Sequence, residues 1–418
     1  MWRIESAKVI AGLARFVRDV GLAEELAQEA WVSALEKWPQ TGIPDNPGAW
    51  LTQCAKHAAI DLWRRGKLLE RKHGELAHDL EALRESAVAD LENAADDPVG
   101  DDLLSLIFTA CHPVLSREAR VALTLRLVGG LTTPEIARAF LVPEATVAQR
   151  IVRAKRTLTE AHVPFEVPRG PELGARLASV LEVLYLIFNE GYSATAGDDW
   201  MRPALCEDAL RLGRILAVLA PDASEVHGLT ALMEIQASRS RARTGPNGHP
   251  ILLLDQNRLL WDRVLIQRGL AALARAESLG ALGPYALQAA IAACHARATL
   301  AADTDWAKIA ALYDALAQLA PSPVVELNRA VALSMAFGPE AGLEVVDGLM
   351  REPSLQDYHL LPSVRGEFLA KLGRWTEARA ELERAASLAQ NAREREMLLE
   401  RAQACAQGSL WSSPKDPH

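Results

Sequence analysis

From residue 131 to residue 158 the chain reads LTTPEIARAFLVPEATVAQRIVRAKRTL, the pattern of two short helices joined by a tight turn. Thr132 followed three residues later by Glu135 forms a capping box, and Pro134 suits a first helical turn. Leu141, Val142 and Pro143 supply a break before a second helix that begins near Glu144. In that helix Val147, Ile151, Ala154 and Leu158 recur at helical spacing and face a core, which turns Thr146, Gln149, Arg150, Arg153 and Arg156 outward. These are side-chain types that reach base edges and phosphates. A helical hairpin with a solvated basic face has the same pattern, so this segment alone leaves both readings open.

Two upstream segments bear on that choice. Residues 44–65, PDNPGAWLTQCAKHAAIDLWRR, predict a helix capped by Asn46 and opened by Pro47. Its end, Trp63-Arg64-Arg65, is followed by Lys67, Arg71 and Lys72. Aromatic and basic side chains interleaved on one surface suit stacking on unpaired bases and tracking of phosphates. Residues 22–31, LAEELAQEAW, continue through Ala34, Leu35 and Trp38 as an amphipathic helix with an acidic face. Between the basic helix and the helix pair, nine carboxylates from Asp79 to Asp102 stand against Arg84 alone, an acidic linker or a solvated charge run.

In this order the three segments resemble the extracytoplasmic-function (ECF) sigma factors of bacterial RNA polymerase, over roughly residues 1–161. The resemblance implies that LAEELAQEAW docks on the polymerase, with Glu24, Glu25, Gln28, Glu29 and Trp31 as contact residues. It implies that the second helix melts and reads the −10 element through Lys56, His57, Trp63, Arg64, Arg65 and Lys67. The helix-turn-helix would read the −35 element through Thr146, Gln149, Arg150, Arg153 and Arg156. His57 and Ala145 depart from residues frequent in the family, which bears on promoter sequence only. The chain also runs some 250 residues beyond the usual end, as in a subgroup with a long tetratricopeptide-like tail. The expected partners are core RNA polymerase, promoter DNA and a protein or peptide partner of the tail, with no membrane. The alternative is a helix-turn-helix regulator whose repeats act as a sensor, without replacing sigma.

At 418 residues the chain exceeds a single core. The net charge of −9 excludes a simple nucleic-acid coating protein but not one whose DNA contacts are local. The absence of an apolar run of about 20 residues, and of a signal-like N-terminus, leads to an expected cytoplasmic location. Cys54, Cys111, Cys206, Cys294 and Cys405 are scattered without metal-ligand spacing, so they read as small buried hydrophobes, and neither metal nor cofactor is expected. An enzyme built on Glu190, Asp198, Asp199 or Asp255 lacks any His, Cys or Gly-rich loop at a spacing that implies chemistry.

The expected fold is all-α. Residues 1–75 form a sigma region 2-like helical domain, 76–100 the acidic linker, and 101–161 a region 4-like helix-turn-helix domain. Pro164, Pro168, Gly170 and Pro171 mark a boundary before an all-helical extension, 172–288. Residues 289–408 read as tetratricopeptide-like repeats. Arg329-Ala330 and Gly338–Gly342 echo Arg365-Gly366 and Gly373–Arg379 about one repeat later, with small residues where helices must approach closely.

Overall fold

The computed structural model describes residues 2–70, 99–140, 142–193, 201–245 and 250–410. Among these no strand forms, and Thr244 and Pro250 make an isolated antiparallel bridge. No helix among them is long and apolar enough to cross a membrane. Most of the acidic linker, the Asp198–Trp200 stretch and the Pro246–Gly248 tip lie outside the described residues. The chain divides into two compact units, residues 1–184 and 185–418.

The first unit contains α1 (Trp2–Val17), α2 (Val20–Thr41), α3 (Pro47–Glu70), α4 (Val99–Ala110), α5 (Arg117–Leu127), α6 (Thr133–Phe140), α7 (Glu144–Glu160) and the first half of α8 (Pro171–Tyr192). Local chemistry sets the starts of these helices. Asp19 accepts from the Leu22 amide at 2.9 Å, Asn46 from Ala49 at 3.1 Å and Ser116 from Ala119 at 3.3 Å. The capping box forms as the spacing predicts: the Thr132 amide donates to Glu135 at 2.8 Å, and the Glu135 amide donates back to Thr132 Oγ1 at 3.4 Å. Ile10, Leu13, Leu26 and Leu51 fill the core of α1–α3, while Leu106, Leu123, Leu125 and Ile136 fill that of α4–α6.

The proline-rich segment follows α7, and the first half of the helix after it, up to Leu184, still belongs to the first unit. The α4 carbonyls at its C-terminal end lack intrahelical donors, and α8 supplies them. Arg176 donates to the Phe108 carbonyl at 3.0 Å and Ser179 to that of Cys111 at 2.6 Å. Glu182 then pairs with Arg117 at 2.5 Å and Arg120 at 3.2 Å.

The second unit continues through α9 (Pro203–Leu219), α10 (Ser224–Ala237), α11 (Arg263–Ser278) and α12 (Pro284–Arg297). Glu225 of α10 caps α12, accepting from the amides of Tyr285 at 2.8 Å and Ala286 at 3.1 Å. At that crossing Gly228 lets the backbones meet, since an added Cβ would lie 2.7 Å from the Ala286 nitrogen and 2.9 Å from its Cα. Gly228→Val is therefore expected to lower stability by about 1–3 kcal/mol. Gly12→Ala in α1, where nothing lies within 4 Å of the added carbon, should raise it by about 0.5–1 kcal/mol. Thermal unfolding reads both, and equal shifts would refute the argument.

Arg258 anchors the other end of α12 by donating to the carbonyls of His295 at 2.5 Å and Ala298 at 2.8 Å. Burial, then the nearby Arg239 and Arg258, push the His295 imidazole down to about 4. The unfolded chain then binds the extra proton between pH 6.5 and 4, so stability falls as pH drops through that window, by ~3 kcal/mol. Denaturant titrations at pH 7 and pH 4.5 should show this slope, and His295→Gln should flatten it.

The array consists of α13 (Trp306–Leu319), α14 (Pro323–Phe337), α15 (Pro339–Leu349), α16 (Leu360–Lys371), α17 (Trp375–Leu388) and α18 (Ala392–Ala406). Gly338 at φ 105° joins α14 to α15 in one residue, a conformation that favours glycine. A Cβ on Gly342 would meet Ser334 at 2.6 Å, and one on Gly366 would meet Leu382 at 2.9 Å. The echoed arginines act alike. Arg329 reaches back to Asp314 of α13 at 3.3 Å, and Arg365 to Asp347 of α15 at 2.8 Å.

Candidate functional site

On α7 the predicted stripe is the buried one: Val147, Ile151, Ala154 and Leu158 are each at most 5% exposed. The opposite face presents Gln149, Arg153 and Arg156 to solvent, with Thr146 and Arg150 half-buried at its margin. Arg156 is drawn into a surface pair with Glu160 at 2.6 Å. That pair raises its already high pKa and leaves the guanidinium charged. Gln149 and Arg153, one turn apart, are thus the exposed polar groups at the centre of the outward face. The arrangement can donate from a rigid helix into a groove and offers no group placed for covalent or proton-transfer chemistry.

On α3, His57 is exposed and Lys56 half-buried. Burial lowers the Lys56 pKa first, Arg15 adds to this, and Asp102 opposes it. Trp63, Arg64, Arg65 and Lys67 fall on the last turns of α3, where the side chains are outside the described residues. Trp50, at the start of the helix, packs edge-on against Trp38 at 5.5 Å, and Trp38 against Trp31 at 5.7 Å. Lys37 lies 5.9 Å above the Trp50 ring. Trp31 is therefore part of an aromatic cluster joining α2 to α3.

The acidic face of α2 is not uniformly open. Glu25 and Glu29 are exposed, but Glu24 is buried. Its carboxylate accepts from Arg126 Nε at 2.6 Å and pairs with Lys155 Nζ at 2.5 Å, while Gln28 donates to it at 2.6 Å. Lys155 and Arg126 are site residues that the sequence pattern does not single out. Lys155 follows the buried Ala154 and precedes Leu158 by three, which puts it at the flank of the buried stripe, and that position is its sequence signal.

The remaining candidates do not assemble. Glu190 pairs with Arg202, Asp255 is exposed, and Asp198 and Asp199 lie outside the described residues. No group of three His, Cys, Asp or Glu side chains among the described residues is placed to hold a metal. Four cysteines are buried and Cys54 is half-buried. Burial pushes the Cys111 thiol up to about 11 and that of Cys206 to about 12, which suits packing rather than reactivity.

Comparison with known proteins adds the following. Residues 3–68 match sigma-70 region 2, residues 105–158 match sigma-70 region 4, and residues 176–277 match a family of unknown function (DUF6596). An uncharacterized protein of Rhizobium meliloti (strain 1021) is 46% identical over 388 residues, covering 93% of this chain and 90% of that protein. The RNA polymerase sigma-H factor of Pseudomonas aeruginosa is 28% identical over 159 residues, 38% of this chain and 81% of that protein. A Mycobacterium tuberculosis protein named "Probable ECF RNA polymerase sigma factor SigI" is 27% identical over 168 residues, 40% of this chain and 56% of that protein. No solved structure matches the chain.

Proposed function

We propose that this chain, which carries matches to sigma-70 regions 2 and 4 and is similar to ECF-type sigma factors, directs core RNA polymerase to promoters through two separate helices. In this reading α2 docks on the polymerase, α3 captures unstacked bases of the −10 element, and α7 enters the major groove at the −35 element. The helices beyond residue 184 regulate this activity in cis. The observation that carries the reading is the outward face of α7, where Gln149 and Arg153 stand exposed over a fully buried apolar stripe. An amide and a guanidinium are suited to bidentate recognition of adenine and guanine.

The test is reconstitution. The full chain, added to core RNA polymerase, is expected to co-elute with it and to give run-off transcripts from a specific subset of promoters. Sequence-specific binding to those promoters without polymerase, together with failure to form a complex with core enzyme, would instead support a helix-turn-helix regulator with a sensor array.

A further inference from the structure

Three arginines of the second unit are buried together: Arg239 and Arg243, which follow α10, and Arg258, which precedes α11. Two aromatic rings lie between them. The Arg243 guanidinium stands 3.5 Å from the centre of the Tyr192 ring, and that of Arg239 5.8 Å from it. Arg239 is also 5.8 Å, and Arg258 4.8 Å, from the centre of the Trp261 ring. Stacking on aromatic faces lets guanidiniums share a small volume, but it supplies no opposite charge. Among the described residues every hydrogen-bond partner of Arg239 and Arg258 is neutral. Arg239 donates to the Tyr192 hydroxyl at 2.7 Å, and Arg258 to the carbonyls of His295 and Ala298 and to Thr304 Oγ1 at 3.3 Å. The carboxylate whose charge reaches Arg258 is that of Asp303, which is exposed and accepts from the Leu300 amide at 3.2 Å.

The cluster also holds donors in reserve. Arg239 Nε, Arg258 Nε and Trp261 Nε1 are buried without a hydrogen-bond partner, and so is His295 Nδ1 beside them. The four residues are 9%, 8%, 3% and 8% exposed. A buried charge without a counter-charge is costly, and each unmade hydrogen bond adds to the cost. Apolar side chains of similar volume would fill the same space without it. His295 feels the same field, since Arg239 and Arg258 add to burial in keeping its imidazole neutral. Uncompensated guanidiniums, free N–H groups and exclusion of water are together what recognition of an oxyanion requires.

We propose that the cluster of Arg239, Arg258 and Trp261 is a binding site for a doubly charged oxyanion of the phosphate type, carried by a small molecule. Two uncompensated guanidiniums match a dianion in charge, and the unpartnered N–H groups match its oxygens. No macromolecule reaches groups this buried, so the anion belongs to a small ligand. The site is independent of promoter recognition and holds whether or not the chain acts with polymerase. Its place in the fold gives binding a mechanical consequence. Arg258 already grips the segment that leads from α12 to α13 through His295, Ala298 and Thr304. Asp305, next in the chain, caps α13 by accepting from the Lys308 amide at 2.9 Å. An anion shared by Arg239 and Arg258 therefore ties the connection between α10 and α11 to the entrance of the array and stiffens that junction.

Equilibrium dialysis of the full chain against radiolabelled inorganic phosphate tests the site, with acetate at matched ionic strength as a singly charged competitor. One phosphate is expected to bind per chain, and acetate to displace it poorly. Hydrogen exchange should slow on phosphate addition at residues 239–244 and 258–262 and along 298–305. Arg239→Gln is expected to bind about tenfold more weakly. Arg239→Lys keeps the charge and the buried stem and should stay within about threefold of the wild type. Arg379→Gln, which breaks an exposed pair with Glu383, is the control and should bind as the wild type does. If circular dichroism shows that Arg239→Gln does not fold, the exchange map of the wild type and the Arg239→Lys affinity decide. Absence of phosphate binding by the wild type at millimolar concentration, protection confined to other segments, or undiminished binding by a folded Arg239→Gln protein overturns the site. Equal competition by acetate overturns the dianion. Run-off transcription is not read in any of these arms, so the sigma reading stands or falls separately.

Discussion

Gln149→Ala combined with Arg153→Ala is expected to weaken −35 recognition by about 2–4 kcal/mol, roughly 30- to 1,000-fold in affinity. Both side chains are exposed, and the helix that carries them is seated by Val147, Ile151, Ala154 and Leu158. Alanine is the best helix former, so the substitutions remove the reading groups without loosening the helix. They lie one turn apart on one face, and their effects should couple rather than add. Arg156→Ala serves as the contrast. Its guanidinium is held by Glu160, so its contribution is to phosphate attraction, and its loss should weaken binding evenly across sequences while reducing the salt slope by about one. Fluorescence anisotropy of the polymerase complex on promoters with and without the −35 sequence separates the two. If the double variant keeps wild-type discrimination at unchanged helix content, α7 does not read the promoter through these residues.

Local signals made much of this fold readable, and each failure has a physical cause. The capping box at Thr132 and Glu135, the Asn46 cap and the stripe of α7 depend on residues within four positions of one another, where geometry is fixed by the helix itself. The echo between Arg329 and Arg365 was readable because each repeat satisfies the same ion pair to the preceding helix. Burial of Glu24 was not readable. Its partners lie more than a hundred residues away, and an acidic residue on an amphipathic helix reads by default as solvated. The packing of α8 was likewise not readable. Four proline and glycine residues announce an end to regular structure, but they do not say which unit the next helix packs on. That depends on donors at Arg176 and Ser179 finding the open carbonyls of α4, a tertiary fact. Of the site, the exposed face of α7 was legible, and the cations that tie it to α2 were not.

Phe368→Ala is expected to cost about 3–5 kcal/mol, a large part of the roughly 5–15 kcal/mol that holds a domain together. Phe368 is 2% exposed in the cluster formed by Leu327, Leu343, Val346, Leu361 and Leu382. Its ring also lies against the space that Gly342 leaves open, 2.7 Å from where a Cβ would stand. The cavity cannot be closed by collapse, because the glycine opposite has no side chain to move into it. Helices of an array contact chiefly their neighbours, so the damage should spread through α14–α18 and spare residues 2–184. Limited proteolysis should therefore cut the variant within residues 323–406 at temperatures where the first unit resists, and differential scanning calorimetry should show an early transition absent from the wild type. The same variant bears on regulation in cis. Transcription from a cognate promoter, followed across that early transition, should change as the array melts while polymerase binding by the first unit persists. A transcript yield that tracks wild type throughout would remove the array from control of initiation.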